Sequence, residues 1–111
     1  MKFTCTKNEL VQAVQIVSKA VSSKPQMPIL SGIYLNAYGN TIELQATDYE
    51  IGITCKIDAE IEEPGTIVLS GRYFQEVVRR LPGETIELEF DRNEQTVKIT
   101  SNSSNFNLLS L

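Results

Sequence analysis

Short runs of alternating apolar and polar residues fill most of this chain, and they constrain its fold more than any other feature. They occur at 1–5, 33–38, 42–46, 51–61, 66–69, 85–90, 95–100 and 105–110. A period of two indicates strands with one buried face. Two stretches have helical spacing instead, one that begins after Thr6 and one over Gly71–Arg80. The order β-α-β-β-β-β-α-β-β-β predicts an α+β fold, with two helices covering one face of antiparallel sheet.

Local signals mark where both predicted helices begin. Thr6 followed by Glu9 forms a capping box, and Ser70 stands where its hydroxyl can cap the second helix. Pro25 and Pro28 place a loop after the first helix, because proline lacks a backbone donor and disfavours helix at the residue before it.

The order of elements also repeats within the chain. The matched positions are Leu10 with Phe74, 41–44 with 96–99, and Ile51 and Ile53 with Phe106 and Leu108. This repeat predicts a duplicated β-α-β-β-β unit, packed about a pseudo-twofold axis with the two helices side by side.

Composition excludes several classes of function. The 111 residues have room for one domain and contain no His, which removes the commonest metal ligand and proton carrier. No apolar run reaches the length of about 18 residues that a membrane span needs, and no secretory leader is visible at the start. Cys5 and Cys55 lie in apolar rows without a paired motif, which predicts two buried, reduced thiols in a cytoplasmic protein.

Two acidic clusters raise the question of a metal site. Glu60, Glu62 and Glu63 form one cluster, and Glu87 and Glu89 belong to the other. On a strand, Glu87 and Glu89 lie opposite the apolar positions, so a solvated face is the favoured interpretation. We therefore expect no metal and no cofactor.

Charge is distributed unevenly along the sequence. The two predicted helices and the loop that follows the first one, residues 7–28 and 71–80, carry six basic and two acidic residues, a net charge of +4, whereas the remainder carries −8. The basic residues are Lys7, Lys19, Lys24, Arg72, Arg79 and Arg80. This segregation predicts a positive helical face and a negative sheet face. One interpretation is that helices commonly carry Lys and Arg, and the other is that this face binds a polyanion. Because no base-reading or base-stacking motif is visible, the favoured mode of nucleic-acid binding is contact with the phosphates of a double-stranded backbone, without sequence specificity.

Two apolar features suggest a protein contact. Tyr73 and Val77 form a second stripe beside the core stripe of the second helix, and Phe106 and Leu108 alternate along a final strand that resembles a sheet edge. One alternative to DNA binding is therefore a protein–protein interaction module that recruits partners through this edge strand. A hydrolase that uses the acidic clusters is a remote third hypothesis, since His and a nucleophile motif are absent.

Several segments together resemble the N-terminal domain of the bacterial sliding clamps, the beta subunits of DNA polymerase III. The segments are the start Met1-Lys2-Phe3, Lys24-Pro25-Gln26-Met27-Pro28-Ile29-Leu30, Ala46-Thr47-Asp48-Tyr49-Glu50, and the helix from Gly71-Arg72 to Arg80-Leu81-Pro82. The resemblance spans the chain and implies the DNA clamp fold, with 1–111 as the first of three domains. It implies a non-catalytic processivity factor, a homodimeric ring that slides on duplex DNA and tethers polymerase III. The clamp loader and the alpha subunit of the polymerase would bind through domains outside this chain.

The resemblance also assigns residues. It implies that Lys24 and Arg72 face the DNA backbone, with Lys19, Arg79 and Arg80 as further candidates. It implies a subunit interface that closes the ring, formed by Tyr73, Val77, Leu81, Phe106 and Leu108. Ser103, Ser104 and Asn105 stand where many relatives have basic residues, so we expect fewer ion pairs across that interface.

Overall fold

The computed structural model describes residues 1–21, 31–48 and 50–111, and within them the chain forms nine strands and two α-helices. The first half contains β1 (Lys2–Thr6), α1 (Lys7–Val17), a 3-10 turn (Ser18–Ala20), β2 (Gly32–Tyr38), β3 (Thr41–Thr47), β4 (Gly52–Asp58) and β5 (Glu60–Glu63). The second half contains β6 (Gly65–Ser70), α2 (Gly71–Arg80), β7 (Thr85–Asp91), β8 (Thr96–Ser101) and β9 (Ser104–Leu109). The predicted α+β class with antiparallel sheets and two helices is confirmed.

Both predicted helix caps are present. The Glu9 backbone N–H donates to Thr6 Oγ1 at 3.4 Å, and the Tyr73 backbone N–H donates to Ser70 Oγ at 3.5 Å. These hydroxyls satisfy N–H groups that have no partner inside the first helical turn. The prolines 25 and 28 that predict a loop lie outside the described residues.

Strand exchange confirms the duplicated unit. One sheet has the order β5-β1-β7-β8-β9 and the other has the order β4-β3-β2-β6. The first strand of each unit therefore pairs with the sheet of the other unit, because β1 lies beside β7 and β6 lies beside β2. The exchange relates the two halves by a pseudo-twofold axis, and β5 is added outside this symmetry.

The prediction of one long strand over 51–61 is wrong. The chain bends at Ala59, whose N–H donates to the Asn40 carbonyl at 3.0 Å. Before the bend β4 pairs with β3, and after it β5 pairs with β1 of the other sheet. Apolar residues keep their alternation across the bend, so periodicity alone does not reveal the change of sheet.

Strand register also corrects the predicted match between the two halves. The core-facing pairs are Ile42–Ile57 and Leu44–Cys55 in the first unit, and Val97–Leu108 and Ile99–Phe106 in the second. Phe106 therefore corresponds to Cys55, and Leu108 corresponds to Ile57. The match of Phe106 with Ile51 is wrong because the connection from β3 to β4 is longer than the connection from β8 to β9.

The core lies between the helices and the inner faces of both sheets. Its largest fully buried side chains include Leu10 and Phe74 from the helices and Phe3, Leu44, Leu69, Leu88 and Ile99 from the strands. The helices run antiparallel, since the Lys7 ammonium donates to the Leu81 carbonyl at the end of α2. At the other end, a Cβ added to Gly71 would lie 3.0 Å from the Val21 side chain.

Candidate nucleic-acid and subunit interfaces

The helices position two cations that have no acidic partner among the described residues. Lys19 lies in the 3-10 turn after α1, and Arg72 lies in the first turn of α2; both side chains are exposed. The Arg72 guanidinium carbon lies 5.9 Å from the Tyr73 ring centroid, near enough for a weak cation–π contact. Each cation can therefore attract a phosphate without first breaking an ion pair.

Arg79 and Arg80 differ from these cations because they share one carboxylate. Arg79 Nη2 lies 3.0 Å from Glu76 Oε1, and Arg80 Nη2 lies 3.2 Å from Glu76 Oε2. Both arginines are exposed on the last turn of α2. Glu76 offsets part of their charge, so these four exposed cations divide into two without an ion pair and two that share Glu76. We call Lys19, Arg72, Arg79 and Arg80 the helical face.

Two further basic residues of the helical region contribute differently. Lys7 is half-buried, and its ammonium holds the carbonyl end of α2, where positive charge is favourable. It is a structural residue of the helix pair. Lys24 lies outside the described residues, so its predicted DNA contact stays a prediction.

On the opposite surface, Lys2 is surrounded by carboxylates. Lys2 Nζ lies 3.5, 3.6 and 3.7 Å from carboxylate oxygens of Glu62, Glu87 and Glu89, which lie on the two strands that flank β1. Glu62 most strongly, followed by Glu89 and Glu87, raises the pKa of the Lys2 ammonium above its usual value. Carboxylates outnumber the cation they surround, and this cluster makes the surface negative.

A second cluster, on the other sheet, pairs one cation with one carboxylate. Tyr38 Oη donates to Glu43 Oε2 at 3.0 Å, and Lys56 Nζ lies 3.8 Å from that oxygen. Hydrogen bonding and charge from Tyr38, together with the Glu43 carboxylate, raise the pKa of Lys56. We call these two clusters, the Lys2 and Lys56 groups, the outer face.

The acidic strand residues of this surface are solvated, as the alternation predicts. Glu87 and Glu89 are exposed, whereas Ile86 and Leu88, which alternate with them along β7, are buried. Within 1–21, 31–48 and 50–111, no group of three or more His, Cys, Asp or Glu is arranged to hold a metal ion.

The predicted subunit residues lie together where α2 meets β9. Phe106 and Leu108 are half-buried on the core side of β9, Val77 is half-buried on α2, and Tyr73 is 59% exposed. Since β9 ends its sheet, one side of this apolar group stays open. We call these four residues the β9 edge.

Leu81 does not belong to this exposed group. Its side chain is 0% exposed and packs in the core at the end of α2. Leu81 is therefore a core residue, and its side chain has no exposed surface to offer the predicted subunit interface. The helical spacing of Phe74, Val78 and Leu81 on the core stripe was the signal for this position.

A matching apolar edge, which the sequence pattern does not predict, lies where α1 meets β4. Cys55 and Ile57 are half-buried on β4, which ends the other sheet, and Ile16 on α1 is 44% exposed. A groove of about 320 Å³ runs between these elements, with Glu9 and Asp58 among its lining residues. We call these five residues the β4 edge. The internal repeat, matched in the correct register, would have revealed it.

The two cysteines differ because one belongs to the core and the other to this edge. Burial, with a smaller contribution from the charge of Glu9, raises the pKa of the Cys5 thiol to about 12. Cys5 is buried as predicted, whereas Cys55 is only half-buried because β4 has no neighbour on its outer side.

In the described part of the chain, no helix is both long and apolar enough to cross a membrane.

Comparison with curated proteins identifies close relatives. The beta sliding clamp of Bacillus subtilis (strain 168) is 41% identical over 97% of this chain and 30% of its own length. The beta sliding clamp of Micrococcus luteus is 32% identical over 100% of this chain and 35% of its own length. This chain thus spans about a third of the length of these relatives.

Solved structures share the fold. The crystal structure of the DNA polymerase sliding clamp from Bacillus subtilis superposes with a TM-score of 0.96 at 40% identity, over 100% of this chain and 31% of that one. The sliding clamp from Caulobacter crescentus gives a TM-score of 0.94 at 33% identity, over 100% and 30%. The family model described as the DNA polymerase III beta subunit, N-terminal domain, matches residues 1–111. The resemblance in the sequence is therefore confirmed, and this chain belongs to the family of the DNA polymerase III beta subunit N-terminal domain.

Proposed function

We propose that residues 1–111 are the first of three domains of a sliding clamp, a ring that encircles duplex DNA and tethers DNA polymerase III. The observation that carries this proposal is the balance of charge on two surfaces, because the helical face holds four cations against Glu76, whereas carboxylates outnumber the cations of the outer face. Lys19 and Arg72 of the helical face have no acidic partner among the described residues, whereas Lys2 and Lys56 of the outer face are paired. A ring needs such a division, with positive charge toward the DNA it encloses.

The proposed mechanism is topological. A closed ring stays on DNA without tight contacts, and a few exposed cations centre the duplex by weak, screened attraction. Weak contacts keep the barriers to sliding low. A polymerase held by the ring stays at high effective concentration beside the primer end. In this proposal the chain makes and breaks no bond and holds no cofactor or metal.

The two edges supply what ring closure needs. A domain inside a ring has a neighbour on each side, and this domain carries open apolar residues at the β9 edge and at the β4 edge. In the proposed homodimer the β9 edge meets the last domain of the partner subunit, and the β4 edge meets the next domain of the same subunit. The relatives favour this function over an interaction module without a role on DNA.

The remaining partners follow from this assignment. The clamp loader and the alpha subunit of DNA polymerase III would bind through domains outside 1–111. The proposed compartment is the cytoplasm, where the bacterial chromosome is replicated. The proposed DNA contacts are Lys24, Lys19 and Arg72, with Arg79 and Arg80 as weaker contributors because Glu76 pairs with both.

Retention on circular DNA tests the proposal. The full-length protein is loaded on nicked circular plasmid and washed with high salt, which screens phosphate contacts. A ring stays on the circle and leaves once the plasmid is cut to a linear form. Equal loss from circular and linear DNA would contradict the topological mechanism.

Replacement of the Phe106 side chain by alanine tests the predicted subunit contact at the β9 edge. In the full-length protein, Phe106→Ala should weaken dimer closure by about 2 kcal/mol, because a half-buried aromatic contact is lost. Leu109→Ala is the matched control, since Leu109 lies on the same strand but is 72% exposed beside the core-facing row. An unchanged dimer dissociation constant for Phe106→Ala would show that Phe106 does not contribute to the subunit interface.

A further inference from the structure

We propose that the pocket between α1 and α2 binds one backbone phosphate of the enclosed duplex, through the Gln15 and Gln75 carboxamides and the Arg79 guanidinium. This site rests on the proposed function and adds to it, because net charge and ring closure assign no role to uncharged glutamines. It also makes Arg79 a residue that changes its partner when DNA binds.

The pocket lies on the pseudo-twofold axis of the domain. It has a volume of about 130 Å³, and its lining residues are Val11, Val14 and Gln15 on α1 and Gln75, Val78 and Arg79 on α2. These residues form three pairs whose members stand 64 positions apart, as Leu10 and Phe74 do. Equivalent positions of the two units therefore build the pocket together. We call these six residues the helix seam.

The polar groups of the helix seam lie at the mouth of the pocket. Val14 and Val78 are buried and form an apolar floor. Gln75 is half-buried, whereas Gln15 and Arg79 are exposed. A ligand that enters from solvent therefore meets two carboxamides and one guanidinium before it reaches the floor.

These three polar groups fit a phosphate. Neither Gln15 nor Gln75 has a hydrogen-bond partner among the described residues. Each carboxamide supplies two N–H donors, and the planar guanidinium can donate to two phosphate oxygens at once. The described residues that line the pocket include no acidic side chain. The site therefore favours an anion with several acceptor oxygens over a cation or an apolar ligand.

Arg79 belongs to the helix seam and to an ion pair at the same time. Its Nη2 donates to Glu76 Oε1 at 3.0 Å, and Glu76 does not line the pocket. An exposed ion pair of this kind contributes little stability, so a phosphate in the pocket can draw the guanidinium away from the carboxylate. Arg80 keeps its own contact with Glu76, at 3.2 Å. DNA binding therefore changes the partner of Arg79 and not that of Arg80.

The position of the helix seam favours a duplex over a free phosphate ion. Lys19 and Arg72 lie at the end of the helix pair where Gly71 approaches Val21. The helix seam lies farther along the same pair, toward the end that Lys7 holds. Cations and carboxamides thus follow one another along the helices, an arrangement that suits the successive phosphates of a polymer.

A matched pair of charge variants tests the site. In the full-length protein, Gln15→Glu places a carboxylate in the helix seam, whereas Gln12→Glu places the same charge on an exposed position of α1 that lines the groove beside β4. Anisotropy of a labelled duplex should show a several-fold larger loss of affinity for Gln15→Glu than for Gln12→Glu. Equal losses would show only general repulsion of DNA and would overturn the proposal.

The salt dependence of affinity separates the carboxamides from the guanidinium. Gln15→Ala together with Gln75→Ala should weaken DNA binding about three- to tenfold, the range for a lost hydrogen bond, without a change in the slope of log affinity against log salt. Arg79→Gln should lower the steepness of that slope by about 0.9, because one phosphate contact with a cation is lost. Unchanged affinity of the glutamine double variant would overturn the proposal.

Thermal unfolding identifies a merely structural role. Replacement of glutamines that only pack the helices together would lower the melting temperature and leave DNA affinity as it is, and that result would overturn the site. If the double variant does not fold, Gln15→Ala alone makes the same comparison at an exposed position.

Two further measurements fix the source of the phosphate and keep this site separate from the proposed function. Millimolar inorganic phosphate, added at constant ionic strength, should leave the difference between Gln15→Glu and Gln12→Glu intact. Loss of that difference would assign the pocket to the free ion and overturn its assignment to DNA. Retention on circular DNA depends on closure of the ring, so it should survive in Gln15→Glu once the protein is loaded, whatever the helix seam binds.

Discussion

Arg72 on the helical face and Lys2 on the outer face are both cations of this small domain, yet their surroundings are opposite. Lys2 lies within 3.7 Å of three carboxylates on neighbouring strands. Arg72 has no acidic partner among the described residues and stacks near a tyrosine ring. The net charge of −4 hides this contrast, because it averages a positive surface with a more negative one.

A protein that is acidic overall can still offer a polyanion a favourable surface. Paired cations on the outer face are already satisfied and stabilise the sheet locally. Unpaired cations on the helical face are held on a rigid helix pair, which spaces them without neutralising them. The net charge therefore predicts DNA binding less well than the ion-pair partners of the individual cations do.

Reversal of the basic charge at Arg72 and Lys24 should have the largest effect, a loss of polymerase processivity. In the full-length protein, Arg72→Glu together with Lys24→Glu should lower polymerase processivity several-fold, because both positions would repel phosphate. Lys56→Glu together with Lys98→Glu reverses the same number of charges on exposed strand positions and should leave processivity near wild type. Wild-type processivity of the first double variant would remove those two residues from the DNA contact.

Removal of the Glu76 carboxylate should have a smaller effect, which is an increase in DNA affinity. Glu76→Gln releases Arg79 and Arg80 from their ion pairs, which lie at 3.0 and 3.2 Å. We expect DNA affinity of the full-length protein to rise about two- to fivefold at low salt and the gain to vanish at high salt. Fluorescence anisotropy with labelled duplex measures it, and no gain at low salt would show that these arginines face away from DNA.

Loss of the Lys2 cation should affect stability slightly and DNA binding not at all. Lys2→Gln leaves three carboxylates without their shared partner, so we expect a small fall in the melting temperature at neutral pH. The pKa of Lys2 is raised in the fold, so its stabilising contribution is complete below the unfolded pKa and is lost as pH rises through the folded pKa. The difference between wild type and variant should therefore disappear in strongly alkaline buffer. A change in DNA affinity would contradict the assignment of Lys2 to the outer face.

Local patterns were sufficient to predict most of the fold. The caps at Thr6 and Ser70, the buried row around Leu44 and the exposed Glu87 and Glu89 all follow from neighbours within a few residues. The bend at Ala59 does not, because alternation is unchanged where the chain passes from one sheet to the other.

The candidate interfaces were predictable only in part. Sequence spacing places cations on helices, but it does not show that Glu76 binds both Arg79 and Arg80 or that Lys7 turns to the end of α2. Those contacts depend on rotamers and on helix packing. The β4 edge escaped prediction because the two halves were matched in the wrong register, and register is fixed by strand pairing across the sheet.

The salt dependence of DNA binding tests the central contrast most directly. Log affinity of the full-length protein is plotted against log salt for wild type, for Lys19→Glu with Arg72→Glu, and for Lys56→Glu with Lys98→Glu. Each lost phosphate contact should lower the steepness of this line by about 0.9, so the helical-face pair should lower it by about 1.8. The pair at Lys56 and Lys98, which are exposed strand positions, should leave the slope unchanged. Equal slopes for both double variants would contradict the assignment of the DNA contacts to the helical face.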